Sequence, residues 1–169
     1  MSPTALTPGR SAETGTAPVR LSPRDVQIIR GYADGRTAAG VAAALETTEA
    51  SVKGRTKRLA KRLGFTGQFP AALVHYAFTH GHLVVVRPRS LRPLPPRMAD
   101  VLACAARGLG GRATATALGI SLETVRTHRS RLHTALGVHC TARAVAVAWT
   151  AGLLDHSSSA PTPPGGTER

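Results

Sequence analysis

Residues 111–137, GRATATALGISLETVRTHRSRLHTALG, decide the fold of this chain. The stretch predicts a short helix, a turn over residues 118–121 and a longer helix over Leu122–Leu136. Ser121 is a good N-cap for the longer helix, and Glu123 in its first turn suits the positive end of the helix dipole. The longer helix has one apolar stripe and is otherwise rich in arginine and histidine. A short helix, a tight turn and a longer cationic helix form the helix-turn-helix pattern.

The chain repeats this pattern upstream with an offset of 73 residues, and no gap is needed as far as Gly64. The matched pairs include Gly35 and Gly108, Leu45 and Leu118, Val52 and Val125, Leu59 and Leu132, and Gly64 and Gly137. Beyond Gly64 the offset becomes 71, because the first copy has about two extra residues near 66–69, and Phe78 then matches Trp149. Similarity at a fixed period indicates two copies of one structural unit.

Each copy is predicted to contain four short helices, so the predicted fold is all-α, with two tandem four-helix helix-turn-helix modules. In the first copy Ser22, Thr37 and Thr48 are the expected N-caps of the first three helices, and the fourth covers about residues 70–80. In the second copy the helices cover about residues 96–107, 112–118, 122–136 and 142–151. The predicted modules are residues 21–83 and 94–155, joined by a linker at 84–93. Segments 1–20 and 156–169 are rich in proline, glycine, serine and threonine, which predicts disordered tails.

The composition favours a small helical protein that binds nucleic acid. Hydrophobic residues make up 42% of the chain but aromatic residues only 4%, so the core is built mainly from leucine, valine, isoleucine and alanine. The formal net charge of +13 is typical of a nucleic-acid-binding protein. Only two cysteines occur, which indicates a reduced protein without a disulfide framework, and Cys104 is expected to be a small core residue.

No signal peptide and no apolar run of membrane-spanning length is visible, so the expected location is cytoplasmic, with the nucleoid, and no membrane partner is expected. The sequence contains no phosphate loop, no paired carboxylates and no nucleophile motif, so an enzyme is the least expected class. His75, His80 and His82 lie near one another, but no cysteine is close to them. They are interpreted as histidines at a helix end, and no metal or cofactor is predicted.

Both copies resemble the LuxR-type (GerE/FixJ-like) DNA-binding module of bacterial transcription regulators. In the second copy the resemblance rests on LPPR at 94–97, RGL at 107–109, ALGISLETVRTH at 117–128, LGV at 136–138 and AGLL at 151–154. The first copy is a looser match, through LSPR at 21–24, DG at 34–35, SVK at 51–53 and KRLGF at 61–65.

In that family the third helix contacts the major groove, and the fourth often makes the dimer contact. Carried over by position, the resemblance implies base contacts from Lys53, Lys57, Arg126, Thr127 and Ser130. It implies phosphate contacts from Ser51, Arg55, Arg58, Thr124, His128, Arg129 and Arg131. Gly54 has no side chain, so the first copy is expected to contact fewer bases and mainly to supply affinity.

The sequence departs from the family pattern at several positions. Thr114 stands where an isoleucine is usual, Arg55 stands where a histidine is usual, and Gly110 and Gly111 begin a helix without a capping side chain. The predicted function is a sequence-specific, DNA-binding transcription regulator, with double-stranded DNA as its partner and RNA polymerase as a further one. The fourth helices are expected to pair either within the chain or between two chains. The alternatives are a protein-interaction module that docks on the transcription machinery or another regulator, and a non-specific DNA-binding accessory protein.

Overall fold

The computed structural model describes residues 19–67, 69–85 and 90–155, which form eight helices and no strand. Module 1 comprises α1 (Pro23–Ala33), α2 (Ala38–Ala44), α3 (Glu49–Arg62) and α4 (Phe69–Thr79). Module 2 comprises α5 (Pro96–Ala106), α6 (Gly111–Leu118), α7 (Leu122–Leu136) and α8 (Thr141–Thr150). The all-α prediction is confirmed. The predicted tails, apart from Val19 and Arg20, and linker residues 86–89 lie outside the described residues.

Hydroxyl side chains cap four of these eight helices, as the sequence predicts for Ser22, Thr37, Thr48 and Ser121. The Ser22 Oγ accepts a hydrogen bond from the Asp25 backbone N–H at 3.2 Å, and the Asp25 carboxylate accepts one from the Ser22 N–H at 3.0 Å. The two recognition-helix candidates, α3 and α7, are capped alike, by Thr48 and by Ser121. Each cap satisfies a backbone donor that the helix itself leaves without a partner.

The turn between the second and third helices has the same conformation in both modules. Gly119 has a φ of 62° and the matched Glu46 a φ of 50°, both in the left-handed region. Among the described residues Glu46 is the single non-glycine with a positive φ. A side chain with a β-carbon is strained there, so module 1 maintains the turn at a cost that module 2 avoids.

Each third helix buries one stripe against its own module. On α3 the stripe includes Val52, Thr56 and Leu59, and the Thr56 hydroxyl lies 3.2 Å from that of Tyr32 on α1. On α7 the stripe is Val125, Leu132 and Leu136. These apolar contacts fix the rotation of each helix, so the opposite face is turned to solvent.

Thr114 takes the fully buried position that Val41 occupies in module 1. Its hydroxyl donates a hydrogen bond to the Gly110 carbonyl at 2.9 Å. The buried polar group is therefore satisfied by the first turn of α6, whose N-cap Gly110 offers no side-chain bond of its own.

The two modules pack on each other through their fourth helices. The Phe78 and Trp149 rings stack across the α4–α8 contact, and the Trp149 indole N–H donates to His75 Nδ1 at 2.9 Å. Helix α1 also contacts α8, and α5 contacts α4 in the same way. The Phe78 and Trp149 rings are both buried, so the centre of the α4–α8 contact is largely apolar.

Two matched contacts show that the packing is reciprocal. A β-carbon built at Gly35 of module 1 meets Arg143 of α8 at 3.5 Å, and one built at Gly108 of module 2 meets Ala72 of α4 at 3.1 Å. Gly35 matches Gly108 in the repeat, and Ala72 matches Arg143. Residue pairs that recur with the modules exchanged are the signature of a two-fold arrangement.

The reciprocity is imperfect where the repeat offset changes. The α3–α4 loop carries the extra residues, and its Gly67 abuts the backbone of Gly108 and Gly110. At the equivalent place across the interface, the shorter α7–α8 loop leaves an open cavity of about 380 Å³. Its lining includes Tyr32, Arg36, Pro70, His133, His139 and Cys140.

Candidate nucleic-acid interface

The outer face of α3 is a continuous cationic surface. The predicted base-contact residues Lys53 and Lys57 are exposed and lie one helical turn apart. Arg58, a predicted phosphate contact, is exposed beside them. Lys61 and Arg62, to which the resemblance assigned no DNA contact, extend the same surface to the end of the helix. Their exposure follows from the position of the buried stripe, so the helical period alone was sufficient to predict that Lys61 and Arg62 lie on this surface.

The outer face of α7 is less charged and more varied. The predicted base-contact residues Arg126, Thr127 and Ser130 are exposed, as is the predicted phosphate contact Arg131. The Thr124 side chain is partly buried, and its hydroxyl lies 2.8 Å from that of the cap residue Ser121. Helix α7 therefore presents two arginines, Arg126 and Arg131, among hydroxyl side chains, where α3 presents five lysines and arginines.

Lys53 and Arg126 occupy matched positions, and each is paired with a carboxylate of its own first turn. Lys53 lies 2.6 Å from Glu49, and Arg126 lies 3.2 Å from Glu123. The Glu49 carboxylate raises the pKa of Lys53. Both pairs are exposed to solvent, where ion pairs are weak and are exchanged easily for other partners.

Arg55 is held by its own module. Its Nε donates to Asp25 Oδ1 at 2.6 Å, and its Nη2 donates to the Ser22 hydroxyl at 2.9 Å. Burial alone would raise the pKa of Asp25, but hydrogen bonds from Arg55 and Ser22 lower it below its ordinary value. The ion pair joins α3 to the start of α1, and the phosphate contact of Arg55 stays a prediction.

His128 lies on the flank of α7 and Arg129 within its buried stripe, between Val125 and Leu132, and both are partly buried. The Arg129 Nη2 donates to the Leu109 carbonyl at 3.3 Å, and burial lowers the pKa of its guanidinium. Arg129 Nε and His128 Nδ1 are enclosed without a hydrogen-bond partner in the described part of the chain. Their phosphate contacts therefore stay predictions.

The structure brings three predicted phosphate contacts of module 1 together. An open groove of about 460 Å³ runs between α1 and the start of α3, and its lining includes Ser51, Arg55 and Arg58. Arg24 lines the same groove and donates to the Leu45 carbonyl at 2.6 Å. Arginines beside the N-terminus of a helix suit the binding of a phosphate. Arg24 is thus a candidate contact that sequence reasoning missed, because it lies on α1.

Residues 92–148 match the family described as bacterial regulatory proteins, luxR family. The matched segment contains α5, α6 and α7 and most of α8, so it includes the α6–turn–α7 motif. These residues form a LuxR-type helix-turn-helix domain, which supports a DNA-binding transcription regulator. A search of curated proteins and a search of solved structures found no match to the chain.

Other kinds of site were sought across the described ranges. Residues 19–67, 69–85 and 90–155 contain no group of three or more histidine, cysteine or acidic side chains that could hold a metal. Of the histidines considered above, His75 accepts the Trp149 hydrogen bond and His80 stacks on Tyr76 at 3.9 Å. None of the helices in the described part is long and apolar enough to span a membrane.

Proposed function

We propose that this chain is a sequence-specific, DNA-binding transcription regulator that engages double-stranded DNA with both modules at once. The observation that carries the proposal is the α4–α8 contact, which joins the four helices α1–α4 to the four helices α5–α8 in reciprocal packing. Dimers of such units insert two recognition helices into successive major grooves, about one helical turn apart. In this chain the pairing takes place within one polypeptide, as an intrachain pseudo-dimer.

The apolar surface of the fourth helices supports pairing within the chain over pairing between chains. Phe78 of α4 and Trp149 of α8, which stack on each other, are only 9% and 8% exposed, and Ala72 of α4, which lies beside Gly108, has no accessible surface left. A second chain would have to displace this contact before it could use the same faces. A homodimer through α4 and α8 is therefore the weaker of the two arrangements.

Charge supports DNA as the partner of both faces. The chain carries a net charge of +13, and exposed cations lie on the outer surfaces of α3 and α7. Neutralising several phosphates releases counterions, which gives affinity that falls steeply with salt. The exposed Arg126 can donate two parallel hydrogen bonds to a guanine edge, which adds base discrimination.

Selection of duplexes from a random pool, followed by titration of the best site, tests the proposal. An enriched sequence that the full chain binds with a steep salt dependence is expected. In Arg126→Ala we expect a loss of about 1–3 kcal/mol on that site and a weaker preference at one base pair. Arg30→Ala is the control, because Arg30 is exposed on the last turn of α1 and lies outside α3 and α7. Equal losses in both variants would argue against α7 as the recognition helix.

A non-specific DNA-binding accessory protein is the second candidate. The density of lysine and arginine on α3, together with the missing side chain at Gly54, favours it. It predicts tight, salt-sensitive binding without any enriched sequence. Failure to bind duplex DNA at low ionic strength would instead favour a protein-interaction module that docks on RNA polymerase or another regulator.

A further inference from the structure

We infer that the DNA site of this chain is non-palindromic, with one half-site specified by base contacts from α7 and the other bound mainly through its phosphates by α3. The inference rests on the proposed function and adds the kind of sequence that the two modules recognise. The two modules pack in a nearly symmetric arrangement, called the frame below, but the surfaces that α3 and α7 present are unlike each other.

The frame places matched residues of α3 and α7 in equivalent positions. Their buried stripes coincide in the repeat, since Val52 matches Val125 and Leu59 matches Leu132. The modules then pack reciprocally through α4 and α8. Differences between the outer residues of the two helices therefore translate directly into differences between the two half-sites.

The outer residues of α7 are suited to base recognition. Arg126 has the planar guanidinium that matches the two acceptors of guanine, and Thr127 and Ser130 add short hydroxyl side chains beside it. Thr134 and Ala135, on the last turns of the same face, carry no charge. Module 2 thus has a fixed donor pattern and few cations on this surface.

The matched residues of α3 are suited to phosphates. Lys53 stands at the position of Arg126, and Lys57 at that of Ser130. The compact ammonium on the flexible side chain of lysine therefore replaces a planar guanidinium at the first position and a short hydroxyl side chain at the second. Gly54 offers no side chain, while Lys61 and Arg62 add charge where module 2 has none. The groove lined by Arg24, Arg55 and Arg58 lies beside this face.

A dimer of identical chains meets the same bases twice, so its preferred site is an inverted repeat. Two different surfaces in one chain remove that requirement. One molecule then covers one site in a single orientation, and the strongly specified half lies on a defined side. The DNA site is accordingly asymmetric, and the protein binds it in one orientation.

Duplex selection with the full chain provides the first test. We expect one half-site with strong base preference, including a guanine, and a second half in which many sequences are tolerated, with one protein bound per duplex. An enriched inverted repeat with equal preference in both halves would overturn the inference and leave the proposed function standing. The absence of any enriched sequence would overturn both.

Single substitutions separate the two contributions. Arg126→Ala should reduce discrimination in the strong half by roughly 5- to 150-fold and leave the other half unchanged. Lys53→Ala should weaken binding to all sequences by a similar factor, with a smaller salt slope. Loss of base preference in both halves from either single substitution would contradict the inference.

A triple variant, Lys53→Arg with Gly54→Thr and Lys57→Ser, gives α3 the outer residues of α7. Lys53 and Lys57 are exposed, and a β-carbon built at Gly54 lies 3.6 Å from the flexible end of Arg58, which is an ordinary contact. With folding checked by circular dichroism, the selected site should become an inverted repeat of the strong half. An unchanged site would show that these positions do not set the asymmetry.

Discussion

Phe78 of α4 and Trp149 of α8 occupy matched positions in the repeat, and their rings stack with centroids 5.5 Å apart and planes 12° apart. Matched residues that touch each other lie close to the axis that relates the two modules. The hydrogen bond from Trp149 to His75 is not repeated, because Ala146 stands at the position that matches His75. The centre of the interface is therefore symmetric in its stacking and asymmetric in its polar bond.

Removing the indole should destabilise the whole protein. Trp149 is buried, so Trp149→Ala leaves a cavity between the modules and should lower the free energy of unfolding by about 3–5 kcal/mol, measured by urea denaturation. Trp149→Phe is the matched control: it keeps an aromatic ring but loses the donor to His75, and a loss of about 1–3 kcal/mol is expected. An Ala variant as stable as the parent would mean that the α4–α8 contact is not part of the folded protein in solution.

The Asp25–Arg55 pair should make the free energy of unfolding depend on pH. The pKa of Asp25 is lower in the folded state than in the unfolded chain, where it is about 3.9. The ionised carboxylate therefore contributes its full stabilisation above the unfolded-state pKa. That stabilisation is lost as the pH falls through the folded-state pKa. Asp25→Asn should therefore be less stable than the parent by a constant margin of about 1–3 kcal/mol between roughly pH 5 and 8.

That margin should shrink as the pH is lowered below about 4, and urea unfolding across this range measures it. Asp100→Asn is the control, because Asp100 lies 3.8 Å from the exposed Arg97 and makes only a weak pair. A margin that stays constant down to pH 2 would exclude Asp25 as the titrating group.

The left-handed turn offers a pair of opposite substitutions. Glu46→Gly removes a strained β-carbon and should raise the free energy of unfolding by up to about 1 kcal/mol. Gly119→Ala introduces the same strain at the matched position, where nothing else obstructs the new methyl group, and should lower it by about 1–2 kcal/mol. Thermal unfolding measures both effects. Midpoints that shift in the same direction for the two variants would show that the two turns differ in solution.

Phosphate contacts of module 1 should appear in the salt dependence. Lys57→Ala and Arg58→Ala should each reduce the slope of log affinity against log salt by about 1, because each removes one phosphate contact. Arg30→Ala is the control, since Arg30 is exposed on the last turn of α1 and lies outside α2, the turn and α3. Slopes that do not change in the first two variants would remove these residues from the interface.

The close approach of the α3–α4 loop to module 2 can be tested with alanine. A β-carbon at Gly67 would press on the Gly108 carbonyl and lie 2.7 Å from the Gly110 nitrogen, so Gly67→Ala should separate the modules and lower the unfolding midpoint. A β-carbon at Gly110 meets nothing within 4 Å, which makes Gly110→Ala the control. Equal midpoints for the two variants would show that this loop contact is loose.

The helices were accessible from the sequence because their signals are local. Ser22, Thr48 and Ser121 cap the helices that they were expected to cap. Cys104 is fully buried within α5, as its position among apolar residues indicated. Such features depend on residues a few positions apart.

The state of each charged side chain was not accessible in the same way. Arg55 is anchored by Asp25, which lies 30 positions earlier, and Arg129 turns toward the carbonyl of Leu109, 20 positions away. A helical wheel places Arg55 on the flank of the buried stripe and Arg129 within the stripe, between Val125 and Leu132, but it cannot show a partner on another helix. The proposal of pairing within the chain likewise rests on the contact of Ala72 with Gly108, 36 positions apart, which has no local signal in the sequence.

The reciprocal α4–α8 contact within one polypeptide also affects how the DNA specificity of such a protein can evolve. In a homodimer one codon alters both recognition helices, so a new half-site must suit both copies simultaneously. If both modules bind DNA as proposed, a mutation at Lys53 leaves Arg126 untouched, and each half of the DNA site can change independently. Occupancy of the target should likewise follow the first power of protein concentration, because no encounter between subunits precedes binding.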